Sequence, residues 1–173
     1  MSSNQPTRRE LIRNTMLAGE AAAAAALLSQ VTAARAAEQS LAINKHERGV
    51  PYKIGILGCG NRSKAHIAAL NHVPEIEITA LCDVVEHKLD QRAKLITKKQ
   101  DAPRKFVEME KMLAQADLDA VAIVLPNYLH KMAAVAALQA GKHVFCEKPM
   151  ALTVPDCNEM IAAAERARKA LQI

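Results

Sequence analysis

The run Lys53-Ile54-Gly55-Ile56-Leu57-Gly58-Cys59-Gly60-Asn61-Arg62-Ser63 constrains this chain more than any other stretch. A short apolar segment ends in Gly58-x-Gly60, and small residues at helical spacing follow. A phosphate-binding strand-turn-helix begins this way. Its glycines let the backbone turn tightly and approach a pyrophosphate, and the helix N-terminus offers free N–H groups and a partial positive charge. Ser63 stands where the pattern has its third glycine. The loop alone is therefore a weak signal, and the surrounding sequence has to carry the argument.

A chain of 173 residues, half of them hydrophobic, builds one ordinary domain with some length to spare. Two Phe, two Tyr and no Trp leave little for the stacking platforms of single-strand nucleic-acid binders. Of the net charge of +5, Arg8, Arg9, Arg13 and Arg35 against Glu10 and Glu20 contribute +2. The remaining charge is spread along the chain as a solvated surface, which argues against a nucleic-acid or membrane patch. Cys59, Cys82, Cys146 and Cys157 lack C-x-x-C spacing, so the usual sign of a zinc or thioredoxin-like site is missing, and no metal ligands are assigned. The cysteines read as small buried hydrophobes in a reduced environment.

The spare length lies at the front. Thr7-Arg8-Arg9-Glu10-Leu11-Ile12-Arg13 precedes Met16 to Gly19, the alanine-rich run Ala21 to Leu28, and Ala34-Arg35-Ala36. Basic region, modest apolar region and small-residue cleavage site come in the order of a bacterial export signal. The apolar part is too short for a membrane span, and Glu20 interrupts it. The segment resembles a twin-arginine leader, although Glu20 departs from the usual uncharged middle. That resemblance implies passage to the periplasm of an already folded protein, with residues 1–36 as signal and 37–50 as linker. The alternative is an alanine-rich amphipathic helix on a cytoplasmic protein.

From Pro51 onward, strand and helix signals alternate. Ala65, Ala68, Ala69 and His72 recur at helical spacing as a face small enough to lie on a sheet, with His66 and His72 as packing or surface residues. Ile76 to Cys82 is a second strand, ending on Asp83, which lies 23 positions after Gly60. An acid at about that distance accepts hydrogen bonds from the adenosine ribose, and a carboxylate there repels a 2′-phosphate, which favours NAD over NADP. Lys88 and Arg92 keep NADP open. Asp83 as the N-cap of the next helix, with Leu89, Ala93 and Ile96 on one face, is the structural alternative. Arg104-Lys105-Phe106 reads as a short edge strand and Glu108 to Gln115 as a helix. Asp119 to Leu125 is a buried strand stopped by Pro126-Asn127. A helix through Leu129, Met132, Ala133 and Ala136 closes at Gly141, and His143 to Cys146 is another strand. Thr153-Val154-Pro155-Asp156 opens the last helix, with Met160, Ala163, Ala164, Ala167 and Leu171 on its buried face. Strands separated by helices mean an α/β fold, a doubly wound parallel sheet of Rossmann type over residues 51–173. Ligands of such sheets sit at the carboxyl ends of the strands. Gly58-Gly60, Asp83, Pro126-Asn127 and Glu147-Lys148-Pro149 all fall there.

The run Asp119-Ala120-Val121, Pro126-Asn127-x-x-His130, and Ala140-Gly141-Lys142-His143-Val144-x-Cys146-Glu147-Lys148-Pro149-Met150-Ala151 resembles the glucose-fructose oxidoreductase and inositol dehydrogenase (Gfo/Idh/MocA) family over about residues 51 to 171. Glu-Lys-Pro after a strand end is a specific mark of that family. The resemblance implies a nicotinamide enzyme acting on sugars, cyclitols or similar polyols. It places Gly58, Cys59, Gly60, Asn61 and Arg62 at the pyrophosphate and Asp83 at the ribose. Pro126, Asn127 and His130 would line the cofactor, and Glu147 and Lys148 would sit at the nicotinamide end. Lys148 is the catalytic candidate. Beside a cationic nicotinamide in a partly desolvated cleft its charged form is disfavoured, which suits a proton partner for a substrate hydroxyl, while Glu147 favours the ammonium.

Family members continue into a sixth strand and a second α/β domain that carries the substrate pocket and the usual homo-oligomer interface. Leu171-Gln172-Ile173 reads as the start of that strand, so the sheet is expected to lack most of its last strand and the chain to be incomplete. Two other functions stay open: a glycosidase of the same superfamily that oxidises its substrate transiently with NAD, and a non-catalytic nucleotide-binding module. Such glycosidases tend to lack Glu-Lys-Pro, so Lys148 and Pro149 favour the dehydrogenase.

Overall fold

The computed structural model describes residues 49–97 and 101–173. The leader and all but two residues of the linker lie outside the described residues. Tyr52–Leu57 forms β1, Asn61–Asn71 α1, Ile76–Cys82 β2 and Glu86–Ala93 α2. Arg104–Phe106 forms β3, Met109–Gln115 α3 and Ala120–Ile123 β4. A single 3-10 turn at Asn127–Leu129 runs into α4, His130–Gln139. His143–Cys146 is β5, Val154–Ala167 α5 and Leu171–Gln172 β6.

The strands form one parallel sheet in the order β3-β2-β1-β4-β5-β6. The chain winds outward from β1 to β3, then crosses back to β4 and winds outward the other way. That reversal between β1 and β4 is where an open α/β sheet leaves a crevice at its carboxyl ends. The last strand, expected to be largely missing, is represented by two residues, Leu171 and Gln172, which pair with Val144 and Phe145 of β5.

Both faces of the sheet are covered, which is why its strands read as nearly unbroken apolar runs. Ile56, Ile78 and Leu81 meet Ile67 of α1 and Leu89 of α2 on one face. On the other face Leu57, Val121, Ile123 and Val144 meet Met112 of α3, Leu138 of α4 and Met160 of α5. Ile56 and Leu57 enter opposite cores because successive strand side chains point to opposite faces. Each such side chain, buried to 1% exposure or less, contributes about 2 kcal/mol relative to leaving it in water.

Local signals set the helix ends. Thr153 caps α5, accepting the Asp156 N–H at 3.2 Å. α4 closes at Gly141, whose φ is +73°, with the Lys142 N–H on the Ala137 carbonyl and the Gly141 N–H on the Leu138 carbonyl. This is a left-handed helix stop that glycine adopts without strain.

The face expected for α1 is corrected. Ala65, Ala68, Ala69 and His72 are exposed, while Ser63 and Ile67 are buried and His66 and Leu70 half-buried. Alanines fit a sheet-facing helix by size, but Ile67 and Leu70 remove far more apolar area from water, and that difference sets the helix's rotation.

Candidate functional site

The site begins where β1 gives way to α1. Gly58 has φ +94°, and a Cβ built there would lie 2.4 Å from the carbonyl oxygen of Val124, closer than side chains and backbone approach. Only glycine lets the loop cross β4 at this height. The crossing is fixed from both sides: the Val124 N–H donates to Leu57 O at 2.7 Å and the Gly58 N–H to Cys82 O at 2.8 Å.

Gly60 is the N-cap of α1. It makes no side-chain cap, and no acid occupies the first turn. Nothing lies within 4 Å of a Cβ built on Gly60, so the space before the helix end is open. An uncapped, positively polarised helix start with open space in front of it fits the pyrophosphate of a dinucleotide. Of the five loop residues assigned to the pyrophosphate, Gly58 and Cys59 have already committed their N–H groups, to Cys82 O and to Asp83 Oδ2 (2.8 Å). Gly60, Asn61 and Arg62 are the backbone donors at the helix end.

Asp83 stands at the end of β2 with its side chain 10% exposed. Oδ2 accepts the Cys59 N–H and Oδ1 the Val85 N–H at 2.9 Å. The N-cap of α2 is Val85, so Asp83 does not cap that helix. Its carboxylate instead ties the glycine loop to the start of the β2–α2 connection. Each oxygen retains a lone pair for a hydroxyl donor. Lys88 Nζ lies 4.0 Å from Oδ1. Arg92, considered for a 2′-phosphate, is corrected: it is 4% exposed and points under the glycine loop, where its Nη2 donates to Gly60 O at 3.0 Å and its Nε to Ser63 Oγ at 3.1 Å.

Across the switch point, Pro126 and Asn127 are exposed at the end of β4. His130 does not line an open cleft with them, because it is 1% exposed. Its Nδ1 lies 2.8 Å from Pro149 O and its Nε2 2.9 Å from Leu125 O. Both carbonyls are acceptors, so the ring works as a strut between the loops after β4 and β5.

Glu147 is the centre of the far side. It is 8% exposed. Oε1 accepts Arg62 Nε at 2.5 Å and faces His66 Nε2 at 2.7 Å, while Oε2 accepts the Lys148 N–H at 3.1 Å. The bond from Arg62 holds the carboxyl down at about 2, against the opposing effect of burial and with help from His66. His66 also sets its ring edge-to-face against Phe145, with centroids 5.3 Å apart. Expected as a packing or surface residue, it both packs on Phe145 and contacts the Glu147 carboxylate. The readable signal was its place four residues after Arg62, on one helix face. Lys148 follows Glu147 but is exposed, and among the described residues its amine enters no hydrogen bond or ion pair. Glu147 therefore does not hold the Lys148 ammonium as expected, because its carboxylate is turned to α1.

Cys59, Cys82 and Cys146 are buried as expected, whereas Cys157 is half-buried. Burial pushes the thiols of Cys59 and Cys146 up to about 12 and that of Cys82 to about 11, which keeps them protonated and unreactive. A depression of about 820 Å³, lined by Lys53, Glu77, Thr79 and Asp117 among others, shares no residue with the glycine loop.

Glu147 carries a pH dependence. Its carboxyl is lowered from 4.5 to about 2 in the fold, so its stabilisation is complete above about pH 4.5 and is lost as pH falls toward 2. Glu147→Gln is expected to lower stability at neutral pH by about 1–2 kcal/mol, discounted for the solvent around Arg62. Urea melts of both proteins should converge as pH falls from 5 to 2. A gap that stays constant with pH would show that the ion pair is not what Glu147 contributes.

Comparison with known proteins places this geometry. The sequence matches GFO_IDH_MocA, described as an oxidoreductase family with an NAD-binding Rossmann fold, over residues 52–173. A glycosyl hydrolase family 109 protein of Shewanella baltica is 33% identical over 123 residues, 68% of this chain and 27% of the relative. This chain thus spans about a quarter of the length of that curated relative. Among solved structures, the WlbA dehydrogenase of Bordetella pertussis, in complex with NADH and UDP-GlcNAcA, superposes with a TM-score of 0.64 at 34% identity, covering 70% of this chain and 36% of that one. Scyllo-inositol dehydrogenase of Lactobacillus casei, with bound NAD(H) and scyllo-inositol, gives 0.63 at 31% identity, with 70% and 35% covered. A glycine loop, a β2-terminal acid and a Glu-Lys-Pro strand end, gathered on one sheet edge and matched across residues 52–173, make this chain a member of the GFO_IDH_MocA oxidoreductase family, carrying its NAD-binding Rossmann fold.

Proposed function

We propose that this chain holds NAD at the carboxyl edge of its sheet. Within an enzyme of the relatives' length, it would serve hydride transfer between nicotinamide and a sugar, cyclitol or similar polyol. The observation that carries the reading is the convergence on one edge of the uncapped start of α1, the Asp83 carboxylate and Lys148. Gly60, Asn61 and Arg62 present N–H groups to the pyrophosphate, and Asp83 accepts from the ribose hydroxyls. NAD supplies the hydride acceptor. Lys148 takes the proton of the substrate hydroxyl. The ion pair of Arg62 with Glu147 fixes the loop that carries Lys148 relative to α1.

A second reading is favoured by the Shewanella relative, named as a glycosyl hydrolase. In it the same cofactor is used transiently and the product is a free sugar. The leader supports a further proposal, that the protein reaches the bacterial periplasm by the twin-arginine route; Thr7-Arg8-Arg9 and Ala34-Arg35-Ala36 carry it. Replacing Arg8 and Arg9 by Lys is expected to keep the protein in the cytoplasmic fraction. Undiminished periplasmic protein would remove this proposal.

Asp83→Ala is expected to weaken NAD about tenfold and NADP much less, because the lost carboxylate both holds the ribose and repels a 2′-phosphate. Equal losses for the two in a titration would remove the ribose assignment. In a full-length enzyme, Lys148→Ala should lower the hydride-transfer rate about 100-fold or more with cofactor affinity mostly retained. Product analysis separates the two chemistries. Net NADH from a polyol supports the dehydrogenase, while sugar released from a nitrophenyl glycoside without net NADH defeats it.

A further inference from the structure

Among the described residues Arg92 is a buried cation with no anion paired to it. Its residue is 4% exposed, and no carboxylate of the described residues lies within ion-pair distance of its guanidinium. All three of its hydrogen bonds go to the glycine loop: Nε and Nη2 to the Gly60 carbonyl at 3.3 and 3.0 Å, and Nε to Ser63 Oγ at 3.1 Å. Ser63 is fully buried, and its hydroxyl donates to the same carbonyl at 2.6 Å. Taking a guanidinium out of water without a counter-charge is costly, and two neutral acceptors offset only part of that cost.

We infer that Arg92 is a positioning residue for dinucleotide binding, the chain's own counter-charge to the pyrophosphate, held beneath the glycine loop by Gly60 and Ser63. The inference rests on the dinucleotide reading above. It is independent of the substrate and of Lys148. The loop is built to accept it: Gly60 is the N-cap of α1, the first turn carries no acid, and the space before Gly60 is open. An anion arriving there meets the helix end from in front and a fixed positive charge from behind, in a region where burial weakens solvent screening. The placement also explains Ser63. Glycine in that position permits close helix packing but offers no side-chain acceptor. Serine fits the same buried place and supplies the oxygen that receives Arg92 Nε.

The competing role for Arg92 is a staple that only shapes the loop. A staple depends on the forked donors, whereas a counter-charge depends on the charge. Titration of the full chain with NAD, at low and high KCl, separates them across wild type, Arg92→Lys and Arg92→Gln. The expected result is a Lys variant within about threefold of wild-type affinity and a Gln variant about tenfold weaker with a shallower salt dependence. A Lys variant that loses as much as the Gln variant, or a Gln variant that binds as wild type does, overturns the inference. If Arg92→Gln does not fold by circular dichroism, the Lys variant decides alone: retention with the wild-type salt slope supports the counter-charge, and a loss beyond tenfold overturns it. Folded wild-type protein that takes up no NAD overturns the dinucleotide reading itself, a result distinct from any difference between variants.

Discussion

The site depends on the contact of Gly58 with the Val124 carbonyl. A chain leaving β1 has to pass over β4, and at Gly58 it does so with no room for a side chain. That crossing sets where Gly60 begins α1, and the direction of α1 sets which of its residues reach the neighbouring strand ends. Arg62 and His66 then fall on Glu147, and Ser63 falls over Arg92. Had the loop been lifted to admit a Cβ, these contacts would all have moved with the helix. The fold therefore spends its strictest backbone requirement on the element that would hold a phosphate.

The buried polar side chains tell the same story from the energetic side. Among the described residues, the buried polar or charged ones are Ser63, Arg92, His130 and Glu147. All four lie under or along the carboxyl edge, and each is satisfied by hydrogen bonds there. Burying such groups gains little stability over an apolar core, so their concentration at one edge marks where geometry counts more than stability. They join elements that are distant in sequence: Arg62 to Glu147 across 85 positions, His66 to Glu147 across 81, and Arg92 to Ser63 across 29. The result is a rim of fixed charges around an open helix end.

The strands and the edge they share were legible because doubly covered parallel strands are written as apolar runs, and glycine, proline and acids punctuate their ends. Asp83 and the Glu-Lys-Pro turn were legible for the same reason, each beginning with the first polar residue after such a run. The rotation of α1 was not, since alanine spacing and the Ile67–Leu70 stripe are both helical, and only packing area decides between them. The roles of His66, Arg92 and His130 were hidden more deeply. A histidine or arginine on a helix announces its charge, but not the carbonyl or carboxylate it will meet once strands far along the chain are placed beside it.

The proposed chemistry at Lys148 faces a remaining physical demand. Glu147, just past the end of β5, turns inward to α1, while Lys148, at the bend that follows, lies exposed. The inward turn of Glu147 gives the loop its fixed position. Lys148 itself is exposed to solvent. Proton transfer at this lysine therefore calls for a cover that excludes water from the strand end, and residues 49–97 and 101–173 do not supply one. The proposed cofactor binding and the proposed proton transfer thus make separate demands on the structure. In the proposed reading the helix end, Asp83 and Arg92 would serve the dinucleotide as they stand, whereas Lys148 lies exposed at the strand end.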